Sequence, residues 1–136
     1  LVLFTFPGAP TVYYGDEAGM EGWEDPFNRA GYPWGQEDSE LKSFFSKLAH
    51  LRQEQPALQT GQLHWRWTAG SLLVFARELD GQLLTTVVNA ADTPQTLTLP
   101  WFGDTARDLL SSEALSPADN VLPLTLLPHQ GLLLTT

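Results

Sequence analysis

Residues 7–17 read Pro-Gly-Ala-Pro-Thr-Val-Tyr-Tyr-Gly-Asp-Glu, and this stretch decides how the first part of the chain is interpreted. A glycine-proline turn leads into a short run suited to a β-strand, and Gly15 then permits a sharp exit of the backbone into two acidic residues. The loop that follows, Gly15 to Gln36, contains Asp25-Pro26-Phe27-Asn28-Arg29 and Pro33-Trp34. Irregular connections of this length are usually functional or disordered, and the aromatic residues within it favour packing over disorder.

Together these motifs resemble the last strand and the substrate-facing loop of an α-amylase family glycoside hydrolase, in particular the cyclomaltodextrinase, neopullulanase and maltogenic amylase subgroup. The resemblance implies a (β/α)8 barrel whose eighth strand is Thr11–Tyr14, with the active site at the carboxyl ends of the strands. It also implies retaining hydrolysis of α-glucosidic bonds in starch-derived oligosaccharides by carboxylates on earlier strands. The motifs that surround those carboxylates do not occur in this sequence. We therefore expect no catalytic residue and no cofactor here, and an isolated chain that is inactive.

The composition permits this interpretation without suggesting it. With 136 residues, 43% of them hydrophobic, the chain could bury an ordinary single-domain core, and no stretch is long enough to cross a membrane. Seven basic against 16 acidic residues give a formal charge of −9, which repels nucleic acids and anionic lipid surfaces, whereas a neutral sugar fits.

The chain contains no cysteine, which excludes a disulfide framework and a thiolate metal site and favours a reducing, cytoplasmic compartment. Localisation stays open, because Leu1 is not an initiator methionine and a targeting segment could precede it.

Residues 1–58 are expected to form the C-terminal end of the barrel. Taken alone, the apolar run Leu1–Phe6 favours a strand, but the resemblance makes it the tail of the seventh barrel helix, and we adopt the helix. In either case one element of a barrel cannot cover itself. We therefore expect a partner over this apolar segment, either the missing N-terminal part of the barrel or an oligomeric partner.

The clearest helix is predicted from Asp38 to Glu54, where apolar residues recur at spacings of three and four. Asp38 or Ser39 would cap its start, and Pro56 would mark its stop. In the family this is the final barrel helix.

Residues 59–136 change to short apolar or alternating runs separated by turn residues, which predicts an antiparallel β-sandwich. The Asp80-Gly81 dipeptide signals a hairpin, since it readily adopts the positive φ angles of a type I′ turn. The fold class is therefore an α+β fragment: the last strand, substrate loop and last helix of a (β/α)8 barrel, followed by the sandwich. The predicted strands are Leu63–Thr68, Ser71–Leu79, Leu83–Asn89, Gln95–Leu99, Ala106–Leu110, Val121–Leu127 and Leu132–Thr135.

Asp25 and Arg29 are the main candidates for substrate contact. By resemblance, the Asp-Pro-x-x-Arg pattern holds a glucosyl unit on the non-reducing side of the cleaved bond. A carboxylate and a guanidinium can grip neighbouring hydroxyls of one ring, because charged groups make the stronger hydrogen bonds. The alternative is a salt bridge that merely pins the loop, and both roles can hold at once.

Glu17 and Trp34 complete the candidate substrate-binding residues. A strand ending at Tyr14 would deliver Glu17 to the sugar-binding rim. Trp34 could stack on a pyranose ring, although burial under the loop is the commoner fate. Tyr13 and Tyr14 are expected to pack on opposite sides of their strand. The other loop carboxylates are interpreted as solvated or structural and not as a catalytic pair.

A rival hypothesis treats the chain as a non-catalytic carbohydrate-binding or scaffolding β-sandwich. Trp65 and Trp67 alternate along a predicted strand and would share one face, where with Trp101 they could form a sugar-stacking strip, although core or interdomain packing is the commoner role. The three histidines share no ligand spacing, so no metal site is predicted.

Overall fold

The computed structural model describes all 136 residues. The chain begins with a short helix α1 (Val2–Thr5) and continues through two 3-10 turns, Asp16–Ala18 and Phe27–Arg29. The predicted helical character of the first residues is confirmed, and the strand that they favour in isolation is absent. No helix is both long and apolar enough to span a membrane.

Helix α2 (Ser39–Glu54) matches the predicted helix, with Asp38 as its cap. The Asp38 Oδ1 atom accepts hydrogen bonds from the backbone N–H groups of Glu40 (3.0 Å) and Leu41 (2.9 Å), which satisfies two donors that the first turn leaves free. Pro56 was expected to mark the end of this helix, and that expectation describes only part of its role. Pro56 also opens a second helix, α3 (Pro56–Thr60), because its fixed φ and missing N–H suit the first helical position.

Eight antiparallel strands follow and form two sheets. The large sheet has six strands in the order β1–β2–β3–β8–β5–β6, and the small sheet pairs β4 with β7. The strands are β1 Gln62–Ala69, β2 Leu72–Leu79, β3 Gln82–Asn89, β4 Gln95–Pro100, β5 Ala106–Asp108, β6 Ala114–Leu115, β7 Val121–Leu126 and β8 Gly131–Thr135. All seven predicted strands are present, and only the two-residue β6 was not predicted. Asp80 and Gly81 join β2 to β3 with φ angles of 51° and 82°, as a type I′ turn requires.

The two faces of the large sheet bury different cores. One face packs against the small sheet, and this sandwich core includes Val74, Val87 and Leu134 of the large sheet with Leu122 and Leu126 of β7. The opposite face packs against α3 through a smaller cluster of Ala57, Leu58, Leu84 and Leu133. The predicted β-sandwich is therefore observed, with the helical segment lying on its outer face.

The predicted strand Thr11–Tyr14 is not a strand in this structure. No neighbouring strand lies beside it to supply a ladder of hydrogen bonds, so the segment remains an exposed extended run. Tyr13 is 64% exposed, and its ring contacts that of Tyr14 at 5.0 Å between centroids. The expectation that these two rings pack on opposite sides of a strand was therefore wrong.

Two arginines tie the first residues to the rest of the chain. Arg77 of β2 is 1% exposed and donates to the carbonyl oxygens of Thr5 (3.0 Å), Leu58 (3.0 Å) and Gly61 (2.9 Å). Arg52 of α2 donates to the carbonyl oxygens of Phe4 (2.7 Å), Phe6 (3.3 Å) and Gly8 (2.5 Å). We call this pair the arginine clamp. It satisfies carbonyl groups at the end of α1 that the short helix cannot satisfy itself.

Candidate functional site

The loop from Gly15 to Gln36 is anchored at its start by a tight turn. Gly15 has a φ angle of +91°, and a Cβ atom there would collide with the side chain of Met20, so only glycine fits this exit. The 3-10 turn beyond it buries Ala18, whose carbonyl oxygen accepts the Asp38 backbone N–H at 3.0 Å. The same residue that caps α2 therefore also fixes the position of the loop.

Asp25 and Arg29 are brought together as a two-pronged ion pair. The Arg29 Nε atom lies 3.0 Å from one Asp25 carboxylate oxygen, and an Arg29 terminal nitrogen donates to the other oxygen at 3.0 Å. The 3-10 turn Phe27–Arg29 brings the two side chains to the same side. Both side chains remain open to solvent, at 59% exposure for Asp25 and 73% for Arg29. Their remaining hydrogen-bonding positions are therefore free to meet a ligand.

Trp34 lies on the surface and not under the loop. Its ring packs against that of Tyr32 with 4.6 Å between centroids, and its side chain is 80% exposed. The commoner fate of burial is not observed. An exposed indole supported from behind by a second ring presents an apolar face of the kind that stacks on a sugar ring.

Glu17 stabilises the turn at the start of the loop. Its carboxylate accepts the Gly15 backbone N–H at 3.1 Å, which closes the turn. Desolvation, and then the negative charge of Glu17, raise the pKa of Tyr32 above its ordinary value. Glu17, Tyr32 and Trp34 therefore form one group of neighbours, and the Asp25–Arg29 pair forms a second.

Tyr14 is a loop residue that the sequence reasoning misassigned. Its hydroxyl donates to the Ala30 carbonyl oxygen at 3.2 Å, immediately after the Asp25–Arg29 turn. A tyrosine in a predicted strand gives no signal of such a contact, because the partner is 16 residues away and has no distinctive side chain.

The far end of the loop is closed by an ion pair. The Lys42 ammonium of α2 lies 3.1 Å from the Glu37 carboxylate. Hydrogen bonding from its own backbone, and then from Lys42, holds the pKa of Glu37 below its ordinary value. In return, the hydrogen bond and charge of Glu37 raise the pKa of Lys42.

The proposed tryptophan strip is divided by a β-bulge in β1. Trp65 pairs with Phe75 and Trp67 pairs with the adjacent Val74, so the two indoles fall on opposite faces of the large sheet. Trp65 packs against Phe6 and Phe75 on the helix side. Trp101 is buried, with its indole N–H donated to the Thr105 carbonyl oxygen at 2.9 Å. The expectation of one shared face for Trp65 and Trp67 was therefore wrong.

The histidines lie apart in three separate settings. His50 contacts the Ser46 carbonyl oxygen, His64 lies 3.0 Å from Glu78, and His129 lies 2.9 Å from Asp92. No group of three or more His, Cys, Asp or Glu side chains is arranged to hold a metal ion.

Comparison with known proteins places these features in a family. The family described as "Maltogenic Amylase, C-terminal domain" matches residues 68–133. Neopullulanase 2 of Thermoactinomyces vulgaris is 34% identical over 98% of the chain, and the cyclomaltodextrinase of Thermoanaerobacter pseudethanolicus is 32% identical over 88%. The chain is a C-terminal portion of an α-amylase family protein.

The solved structures agree with this assignment. An Anoxybacillus α-amylase superposes with a TM-score of 0.91 at 27% identity, covering 98% of this chain and 30% of the α-amylase. The chain likewise spans only 24% of the neopullulanase 2 and 21% of the cyclomaltodextrinase. Its α-amylase family relatives are glycoside hydrolases, and the portion matched here is a sheet-rich C-terminal region.

Proposed function

We propose that this chain is the C-terminal part of a retaining glycoside hydrolase that cleaves α-glucosidic bonds in starch-derived oligosaccharides. Residues 1–58 complete its (β/α)8 barrel, and residues 59–136 form its closing sandwich. The catalytic carboxylates lie upstream of this chain. Within the chain, Asp25, Arg29, Glu17 and Trp34 contact the substrate, and none of them performs the chemistry.

The observation that carries the proposal is the exposed Asp25–Arg29 pair. An ion pair this open to water adds little to stability, so pinning the loop is a weak reason for its geometry. The same geometry fixes both charged groups before a ligand arrives, which lowers the cost of ordering them on binding. Vicinal hydroxyls of a glucosyl ring can then donate to the carboxylate and accept from the guanidinium.

The apolar surface of the first residues supports a partner that covers them. Leu3, Phe6, Val12 and Phe44 have exposed side chains, and Leu3 and Phe44 line one surface depression, so α1 and one side of α2 share an open apolar surface. Such a face marks a contact surface in a soluble protein. The preceding strands and helices of the barrel are its proposed occupant, and an oligomeric partner is the alternative.

Arg29→Ala in the complete enzyme tests the proposed substrate contact. We expect the KM for maltooligosaccharides to rise about tenfold with a smaller change in kcat, because the lost hydrogen bonds act on bound substrate in both ground and transition states. Steady-state kinetics on maltotriose to maltoheptaose measures both constants.

Arg107→Ala is the matched control, since Arg107 is an exposed arginine on the sandwich, in β5. We expect its KM to equal that of the unmodified enzyme. A KM for Arg29→Ala that also stays unchanged would remove Arg29 from the substrate site.

A further inference from the structure

The sandwich carries a groove at its open end. The small sheet has two strands and cannot cover all six strands of the large sheet, so the inner face near β1 is left without a layer above it. A cavity of about 840 Å³ lies there, between β1–β3 of the large sheet and the segment that ends β4. Its volume falls within the range of small-molecule binding sites.

The walls of the groove are aromatic. Trp67 stands on the β1 side and is 49% exposed, because the β-bulge turns it away from the helix side and toward the sandwich side. Phe102, at the end of β4, is 83% exposed. Next to Phe102, the Trp101 ring is buried and hydrogen-bonded, which holds this wall in place. Two large rings exposed at one groove are costly to leave in water.

Polar groups lie between these walls. Glu78 of β2 and Arg66 of β1 contribute charged groups, and Thr85 and Thr98 contribute hydroxyls. Glu78 also contacts His64 at 3.0 Å, which holds its carboxylate toward the inner face. Apolar faces bordered by a few oriented hydrogen-bonding groups match a pyranose ring, whose flat faces are apolar and whose rim carries hydroxyls.

The ligand class follows from the charge and the openness of the groove. The chain carries a net charge of −9, and both a carboxylate and a guanidinium line the groove, which favours a neutral, hydroxyl-rich ligand over an anion. The groove is open to solvent, because Trp67 and Phe102 on its two walls are exposed, so a sugar can reach it.

We propose that the groove between Trp67 and Phe102 is an accessory site that binds an α-glucan chain, separate from the loop site of Asp25 and Arg29. The choice of α-glucan rests on the proposed function, because that function supplies the ligand. The groove would hold a long substrate near the enzyme without contacting the bond that is cleaved.

The test is an NMR titration of the 136-residue chain with maltoheptaose. We expect shifts of the backbone signals of β1, Glu78 and Phe102 and of the Trp67 indole signal. Trp67→Ala should weaken the apparent Kd of these shifts about tenfold or more, because it removes one stacking face. Phe102→Ala provides a second variant at a side chain so exposed that its removal leaves the core intact.

Trp23→Ala is the matched control, since Trp23 is an exposed tryptophan in the loop, far along the chain from the groove. We expect it to leave the groove Kd unchanged. The accessory site would be overturned by the absence of shifts at the groove. It would also be overturned if Trp67→Ala and Phe102→Ala bound maltoheptaose with the same affinity as the unmodified chain. Because Arg29→Ala kinetics report on the loop alone, failure of one proposal is distinguishable from failure of the other.

Discussion

At the scale of single residues, Arg77 is the side chain whose burial needs the most compensation by hydrogen bonds. It is a buried cation that faces no carboxylate, and desolvation, followed by the charge of Arg52, lowers its pKa below the ordinary value. Its compensation comes from three backbone carbonyl oxygens in two separate segments, Thr5 of α1 and Leu58 and Gly61 at α3. An arginine is suited to this role, since its planar fork can donate in several directions at once.

Arg77→Met should lower the free energy of unfolding by about 2–3 kcal/mol, because the carbonyl groups of Thr5, Leu58 and Gly61 would lose a donor without regaining water. Urea denaturation of the 136-residue chain measures this loss. Arg107→Met, at an exposed position, should change the free energy by less than about 0.5 kcal/mol. Equal losses in the two variants would show that the Arg77 contacts contribute no particular stability.

At the scale of elements, α2 organises the loop before it. Asp38 caps the helix through its side chain and holds the loop through its backbone N–H, and Lys42, one turn later, pairs with Glu37. Loop position is therefore coupled to the formation of the first helical turn.

Lys42→Met should raise the pKa of Glu37 partway toward its ordinary value, since the hydrogen bond from its own backbone remains. A carboxyl group whose folded-state pKa is depressed stabilises the fold above its unfolded pKa, and that contribution is lost as the pH falls through the folded value. The variant should therefore lose less stability on acidification. Carbon-detected NMR titration of the Glu37 carboxyl measures the shift.

Lys47→Met is the control, because Lys47 lies on the same helix and donates to the Leu110 carbonyl oxygen instead. A Glu37 pKa that does not respond to Lys42→Met would contradict the coupling.

Elements with a strong repeating pattern were predictable from sequence, and those that depend on distant contacts were not. Helix α2 follows from its apolar spacing, and β2–β3 follow from their apolar runs and the Asp80-Gly81 turn. The bulge in β1 has no signature in the sequence, so Trp65 and Trp67 were assigned to one face. The pairing of Asp25 with Arg29 could be expected from their spacing around a turn, whereas the Tyr14 contact to Ala30 could not.

At the scale of the whole molecule, a sandwich of ordinary construction carries a helical and loop segment with an open apolar face. The expected domain boundary near residues 59–61 stays a prediction. The large sheet buries one face against the small sheet and the other against α3, while the first 58 residues carry the exposed apolar side chains for which a partner is proposed.

The isolated 136-residue chain should release no sugar from maltooligosaccharides, because the proposed catalytic carboxylates lie elsewhere in the enzyme. Chromatographic detection of reducing products after prolonged incubation tests this expectation, with the complete enzyme as a positive control. Hydrolytic activity that persists after repurification, and that differs in the Asp16→Asn or Glu17→Gln variant, would contradict it. The activity of a contaminating enzyme would not respond to those substitutions.

The arginine clamp has a consequence for how the chain comes apart. When Leu1–Phe6 separates from the sheet, the Arg77 guanidinium is left among backbone carbonyl oxygens that it can no longer fully reach. Partial opening therefore loses hydrogen bonds while it releases little chain entropy. Separation of α1 from the sandwich is therefore discouraged, and we expect the two to unfold together as one cooperative unit.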